Sequence, residues 1–338
     1  MGAKQMKRTA LLISALIIVV INSCGEGITE PQPGRRDYVW EKDTLRAEDF
    51  GFQFLSSIWG SSPKDIWVVG DAAVQANKVW HYDGVQWKNY RLNQFAAPIS
   101  IHGIVSYEVW MVTTRSDIWR WDGLSWNKDT TIIPEGYYRI LFEDIYGYKD
   151  NIYAVGIAEK LDGDYTGIIV HYDGKKWEIL NTPKIKEYFV RVLFLEKGDI
   201  LITALNLNDP LEPARLYKYA DGQLSLISKN KTDYSLGILD NKLYVNTDRK
   251  VYEYKNGELI LKIDLSNTDY AGRLIGHSIN NFFTENKAWI LGHYNGKSVF
   301  NLYPINGSLI GGIVFEKDVF FVCYTLDNIN YILHGKLK

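Results

Sequence analysis

One pattern recurs along this chain at a fixed interval, and it limits the available folds more than any other feature. "SIWGSSPKDIWVVG" at 57–70, "SIHGIVSYEVWMVT" at 100–113 and "DIYGYKDNIYAVG" at 144–156 align with one another. Each leads into a second motif: "VWHYDGVQW" (79–87), "IWRWDGLSW" (118–126) or "IVHYDGKKW" (169–177). The anchor residues Trp67, Trp110 and Tyr153 lie 43 residues apart. Weaker copies follow. "GDILITA" (198–204) leads to "LYKYADGQL" (216–224), and "NKLYVNT" (241–247) to "VYEYKNGEL" (251–259). "NKAWILG" (286–292) leads to "VFNLYPINGSL" (299–309), and "KDVFFVC" (317–323) to "NYILHGKL" (330–337). Their anchors are Leu201, Tyr244, Trp289 and Phe320, so seven copies fill 38–338. A unit this short cannot bury a core alone and is stable only when stacked on its neighbours.

Each unit reads as strand a, a tight turn, strand b, a variable loop, strand c, an Asp-Gly turn and strand d. The high aromatic content of 14% suits pleated, half-buried surfaces. Together these predict an all-β chain: a seven-bladed β-propeller with four-stranded antiparallel blades. The Asp-Gly pairs are expected to make two-residue type I′ hairpins, which need positive φ. Copies four to six carry extra residues there (Ala220, Lys255, Pro304 with Ile305) and are expected to turn more loosely. Alternation puts Trp80 and Tyr82 on one face of strand c and His81 on the other. The seventh copy stops after its third strand, whereas "YVWEKDT" (38–44) looks like a stray strand d, with Trp40 in the place of Trp87, Trp126 and Trp177. The N-terminal strand 38–44 is therefore expected to pair with the C-terminal blade and close the ring, which removes two sheet edges.

The motif "DIWVVG…VWHYDGVQW" resembles the repeats of secreted bacterial propellers. It is also similar to the propellers of two-component-regulator sensors. That resemblance covers about 57–180 strongly and the remainder by pattern. It implies a seven-bladed propeller in the cell envelope used for binding or assembly, and it carries no catalytic residue. Sialidase-type Asp-boxes, "SxDxGxTW", occupy the same turn, but here Asp and Gly are adjacent (Asp83-Gly84, Asp122-Gly123, Asp173-Gly174).

The first residues read as a targeting segment. Lys4, Lys7 and Arg8 precede an apolar run from Ala10 to Ile21, followed by "INSC". Residues 1–23 are expected to be a lipoprotein signal peptide, and Cys24 resembles the acylated cysteine of a lipobox. Residues 24–37, rich in Gly, Pro and charge, are expected to tether the propeller at 38–338. The predicted location is the cell envelope, anchored by lipid to the outer membrane. Without Lys4, Lys7 and Arg8 the formal charge falls from −2 to −5, which argues against nucleic acid as a partner. The other cysteine, Cys323, sits in an apolar run as a small core residue.

Chemistry is sparse. No arginine set matches across inner strands as a sialidase requires. His81 and His171 fall at equivalent places on strand c and read as structural, while His102 on strand a could line the channel. Asp162 and Asp164 in "LDGDYTG" have a calcium-like spacing without the other ligands of such a loop. No catalytic residue, metal or cofactor is expected.

In a propeller the a–b and c–d turns share one end, and the b–c and d–a loops the other. Here the long segments, "DAAVQAN" (71–77), "NQFAAP" (93–98), "KDTTIIPEGYY" (128–138), "IAEKLDGDYTG" (157–167) and "NLNDPLEPA" (205–213), all belong to the b–c/d–a end. Elaborated loops on a rigid scaffold are where binding residues gather. A recognition face on blades one to four is therefore expected, with Asn93, Tyr137, Tyr138, Asp164, Tyr165, Asn206 and Asp209 as contacts for a protein or glycan. The expected function is that of a non-enzymatic binding or assembly scaffold. The alternatives are a carbohydrate-active hydrolase or lyase at the channel mouth, and a sensor or assembly module of an envelope complex.

Overall fold

In a computed structural model, which describes residues 34–46, 51–196, 198–209 and 211–338, the repeat folds into seven four-stranded antiparallel sheets. The innermost strands are Gln53–Ser62, Pro98–Val105, Arg139–Tyr148, Tyr188–Leu193, Ser235–Leu239, Tyr270–Ser278 and Gly307–Val314. Neighbouring inner strands meet all the way round, the last touching the first, so the sheets form a closed ring. We number the blades one to seven from Gln53.

Closure occurs as the sequence predicts. Tyr38–Asp43 pairs antiparallel with Asn330–Leu337, Trp40 opposite Gly335. The indole covers that glycine so closely that a Cβ there would lie 2.5 Å from the ring. Blades one to three place Trp87, Trp126 and Trp177 opposite Tyr82, Trp121 and Tyr172. Trp40 thus supplies blade seven with the ring that the strands d of blades one to three carry.

The core lies between the blades. Seven apolar clusters occur, one at each interface between neighbouring sheets. Each second strand is sandwiched on both faces, which is why "IWVVG" and "FFVC" read as unbroken apolar runs. Trp67 is 1% exposed and meets Trp121 and Trp126 of the next blade at 5.0 and 5.3 Å. Trp110 meets Tyr172 and Trp177 in the same way. The two halves of the motif therefore recognise each other across an interface. Strand c divides as expected: Trp80 and Tyr82 pack toward blade seven, and His81 stacks on Trp67. Cys323 is buried, and burial pushes its thiol up to about 12.

Three expectations are corrected. In the sixth copy the strands are Asn281–Asn286, Ile290–Tyr294 and Val299–Pro304. Its anchor is Phe283, paired with His293 as Trp67 pairs with His81. Trp289 instead sits in the b–c turn with φ +55°, 47% exposed. The unit's true signature is "HYNG" at 293–296, the counterpart of "HYDG" at 81–84. The hairpins are also the reverse of the expectation. Asp221-Gly222 and Asn256-Gly257 form the two-residue turns, with positive φ at both residues. In blade one, four residues separate Tyr82 from Trp87, because Asp83 Oδ1 accepts from the Val85 and Gln86 amides at 3.0 and 2.9 Å. Finally, "DAAVQAN" is packed rather than presented. Ala76 and Asn77 are buried, and the fully buried Lys78 ammonium binds Asp71 at 2.8 Å and the Ala96 carbonyl at 2.6 Å.

Candidate functional site

The inner strands share a local irregularity that shapes the channel. A bulge interrupts the a–b ladder at Leu55/Ser57, Pro98/Ser100, Phe142/Asp144, Phe189/Arg191 and Leu309/Gly311. A bulge re-aims the side chain that follows it. Ser57, Ser100, Asp144, Arg191 and Gly311 accordingly line one cavity of about 1140 Å³. Part of this circle is stitched together. Ser57 Oγ accepts from the Ile101 amide at 3.2 Å, and Ser100 Oγ donates to Asp144 at 2.9 Å. The second Asp144 oxygen accepts from the Val192 amide at 3.0 Å, so one carboxylate ties blades two, three and four. Burial raises its pKa, against the pull of Arg191 and these donors.

The stitching ends at Arg191. Its guanidinium is 41% exposed, stands 3.9 Å from Asp144 and donates to the Val190 carbonyl at 3.3 Å. Further round, blade six breaks register on both sides of Gly272, whose φ is +130°. Arg273 follows with φ +77°, left-handed backbone that is costly for a side chain with a Cβ. The Arg273 guanidinium has no hydrogen bond or ion pair within 4 Å among the described residues; desolvation, then the nearby Arg191 charge, hold its pKa below the usual arginine value against the attraction of Glu285. Glu285 faces the same cavity with its pKa raised by burial, and accepts from the Leu309 amide. Arg249, Lys250 and Lys287 line the cavity from the b–c turns of blades five and six.

The arginines hold no matched places on the inner strands, as the sequence reading has it, yet two of them reach the channel. Arg191 and Arg273 both sit on innermost strands, and Arg191 occupies the post-bulge place of Asp144 in the next blade. A third, Arg139, is committed to Glu159 at 2.6 Å. The available signal was a charge inside an apolar inner strand, "YFVRVL" and "YAGRLIG"; the bulges hid it by breaking period-two alternation.

His102 does not line the cavity. It bonds the Gly147 carbonyl at 2.9 Å, and burial lowers its pKa to about 4. Its ring lies 6.5 Å from Trp59 and 4.5 Å from Tyr146.

The residues nominated from loop length are only partly brought together. Tyr137, Asp164 and Tyr165 line a small cavity of about 240 Å³ with Lys160, Lys184 and Lys186. Asp164 is bridged by Lys160 at 3.0 Å and Lys186 at 2.8 Å, contacts that lower its pKa to about 2. Asp162 receives the Asp164 amide at 3.0 Å. Two ammonium groups therefore occupy the place a cation would take beside Asp164. Tyr165 is buried and accepts from the Leu207 amide at 3.1 Å, so it braces two loops. Asn206 and Asp209 cap the amides of Asn208 and Leu211. Tyr138 is 55% exposed, and Asn93 is exposed in the loop before blade two.

Exposed large apolar side chains are concentrated at the same end of the ring. Phe52, Phe95, Ile133, Leu161, Leu207, Leu211, Trp289, Leu326 and Ile329 lie in b–c and d–a loops, with Leu211 91% exposed. Among the described residues the other end carries Val85, Tyr107, Leu124 and Tyr148.

No protein-family model matches the chain, and no curated protein sequence does. Solved structures do. "YCF48 bound to D1 peptide" superposes with a TM-score of 0.60 at 14% identity, covering 92% of this chain and all of that one. YCF48 from Cyanidioschyzon merolae gives a TM-score of 0.55 at 12% identity, covering 88% of this chain and 98% of that one. What this likeness shows is the seven-bladed propeller fold.

Proposed function

We propose that this propeller is a non-enzymatic scaffold that binds a protein through its b–c/d–a end. The observation that carries the reading is the crowding of exposed apolar side chains on those loops, from Phe52 round to Ile329. Rigid sheets hold them in place, and water-exposed apolar patches of this kind mark interaction surfaces. A protein partner suits such a rim better than a glycan, which would need polar groups between the rings. The similar fold seen with a bound D1 peptide is in keeping with a peptide-binding role. A hydrolase reading finds less support. Of the four carboxylates that line the cavity, Asp144 is engaged by Ser100 and Val192, Asp248 by Asn230 and Thr232, and Glu285 by the Leu309 amide, which leaves Asp233 alone where glycoside hydrolysis uses a pair.

The same proposal places the chain in the cell envelope, attached to the outer membrane through a lipid on Cys24. That residue, with the whole of 1–23, lies outside the described residues. Of the segment 24–37, the described residues 34–37 contact the propeller: Arg36 donates to the His293 carbonyl at 3.3 Å and stacks on Phe300.

Cross-linking in envelope extracts, followed by mass spectrometry, tests the reading. Leu207→Asp, Leu211→Asp and Trp289→Asp should abolish capture of a specific protein with melting unchanged. Undiminished capture by all three would sink it. Metabolic labelling with a clickable fatty acid should mark the wild type and not Cys24→Ser.

A further inference from the structure

We propose that the channel is a carboxylate-binding site, in which Arg191 and Arg273 hold the carboxylate of an apolar peptide entering from the b–c/d–a end. This rests on the reading above and adds the chemistry of the partner.

Four features of the structure carry it. First, the Arg273 guanidinium has no acceptor among the described residues, although it lies in a cavity and its backbone is held at φ +77°. Its counter-charge in the cavity, Glu285, makes no hydrogen bond to it, so the half-buried guanidinium keeps its donors for a ligand, and left-handed strain persists where a function holds it in place. Second, Arg191 is only loosely held, donating to the Val190 carbonyl at 3.3 Å. Its nearest carboxylate, Asp144, is 3.9 Å away, and both Asp144 oxygens are taken by Ser100 and Val192. Third, the two arginines oppose each other electrostatically, the charge of Arg191 lowering the pKa of Arg273. An anion between them converts that repulsion into two charge-assisted bonds, and the planar guanidinium fork matches a carboxylate. Fourth, the cavity of about 1140 Å³ has room for a short extended segment. Lys287, on its wall, shares a turn with the exposed Trp289, so an apolar side chain can rest at the rim while the acid lies deeper. Glu285 lines the same cavity and favours one bound carboxylate over a polyanion.

The carboxylate could be a chain terminus or an Asp or Glu side chain, and the test separates these. Full-length protein is incubated with random apolar nonapeptides made in three forms: free acid lacking Asp and Glu, C-terminal amide with one Glu, and C-terminal amide lacking both. Retention is read by mass spectrometry. At least one acidic form should be enriched roughly tenfold over the acid-free amide, which is about 1.4 kcal/mol. Enrichment of the first form alone identifies a chain terminus. Arg191→Gln and Arg273→Gln should each abolish the preference, Arg191→Lys and Arg273→Lys should keep part of it, and Arg249→Gln at the mouth should weaken it less. Thermal melts report whether each variant folds, and the lysine variants keep the test open if the glutamine variants do not.

Equal retention of all three forms, or acid preference unchanged in folded arginine variants, overturns the proposal and leaves the loop-face reading standing. Failure to retain any peptide, or retention of a sulfated oligosaccharide in their place, also overturns it. The loop-face reading itself fails only if the Leu207, Leu211 and Trp289 variants still capture a protein from envelope extracts.

Discussion

His81 Nε2 lies 2.6 Å from Asp65 Oδ1 while its ring stacks on Trp67 with centroids 4.2 Å apart. The arrangement recurs wherever the repeat does. His171 pairs with Asn151, His293 with Asn281 and His334 with Asp318, over Tyr153, Phe283 and Phe320. Blade two replaces the histidine by Arg120, bound to Glu108 at 3.0 Å and lying over Trp110. Lys218 with Asp199 in blade four, and Glu253 with Lys242 in blade five, keep the clasp without a histidine. Each clasp fastens strand c to the start of strand b, with the anchor beside it. His81→Ala and Asp65→Ala should each cost about 1–2 kcal/mol, from the lost hydrogen bond and, for His81, the lost stack. A double-mutant cycle by urea unfolding measures the coupling, and a value near zero would show the pair to be incidental.

Acid should loosen the ring before the carboxylates titrate. Burial holds His102 and His293 at about 4, below the ordinary histidine value of about 6.5. His293 is kept neutral by its partners, since Arg36 donates to Nδ1 at 3.3 Å and Asn281 Oδ1 lies 2.6 Å from Nε2. Between about pH 6.5 and 4 the unfolded chain takes up protons that the folded one does not, so stability is lost as pH falls through that window. Each histidine accounts for up to about 3 kcal/mol. Melting temperatures at stepped pH check this, and His102→Gln should flatten the curve; an identical slope in the variant would refute the assignment.

The ring closure can be probed at one contact. Gly335→Ala drives a methyl group into the Trp40 ring, and Trp40→Ala empties the space over Gly335. Each should cost about 2–3 kcal/mol. Deleting residues through Asp43 leaves Asn330–Leu337 as a free edge, and light scattering should then detect association that the full chain does not show.

Asp144 is the junction of three blades. Asp144→Ala leaves the Val192 amide and the Ser100 hydroxyl without their acceptor, and should cost about 1–3 kcal/mol. Hydrogen exchange at Val192 should accelerate in the variant by more than exchange in blade six. Uniform acceleration would mean the carboxylate has no local role.

Much of the architecture could be read from residues alone, because it rests on local pattern. The 43-residue interval, the apolar second strands and the spare strand around Trp40 state the fold, the blade number and the closure. The reading failed where weak copies were aligned on a single ring. Trp289 took the place of Phe283 because an indole stood out more than the plainer "HYNG" four residues later.

Loop length singled out the end of the propeller where exposed apolar side chains gather, while several of the polar side chains it nominated are engaged within the loops themselves. Tyr165, Asn206 and Asp209 are absorbed in bracing their own loops, since polar loop residues first satisfy nearby backbone amides. The arginines of the channel are a different matter. Arg191 and Arg273 lie 82 positions apart, on strands whose bulges erase the alternation that would reveal where they point. Repetition sets the scaffold through contacts between like neighbours, and a sequence displays that directly. The site arises where unlike residues from several blades converge on one axis, and only closure of the ring brings them together.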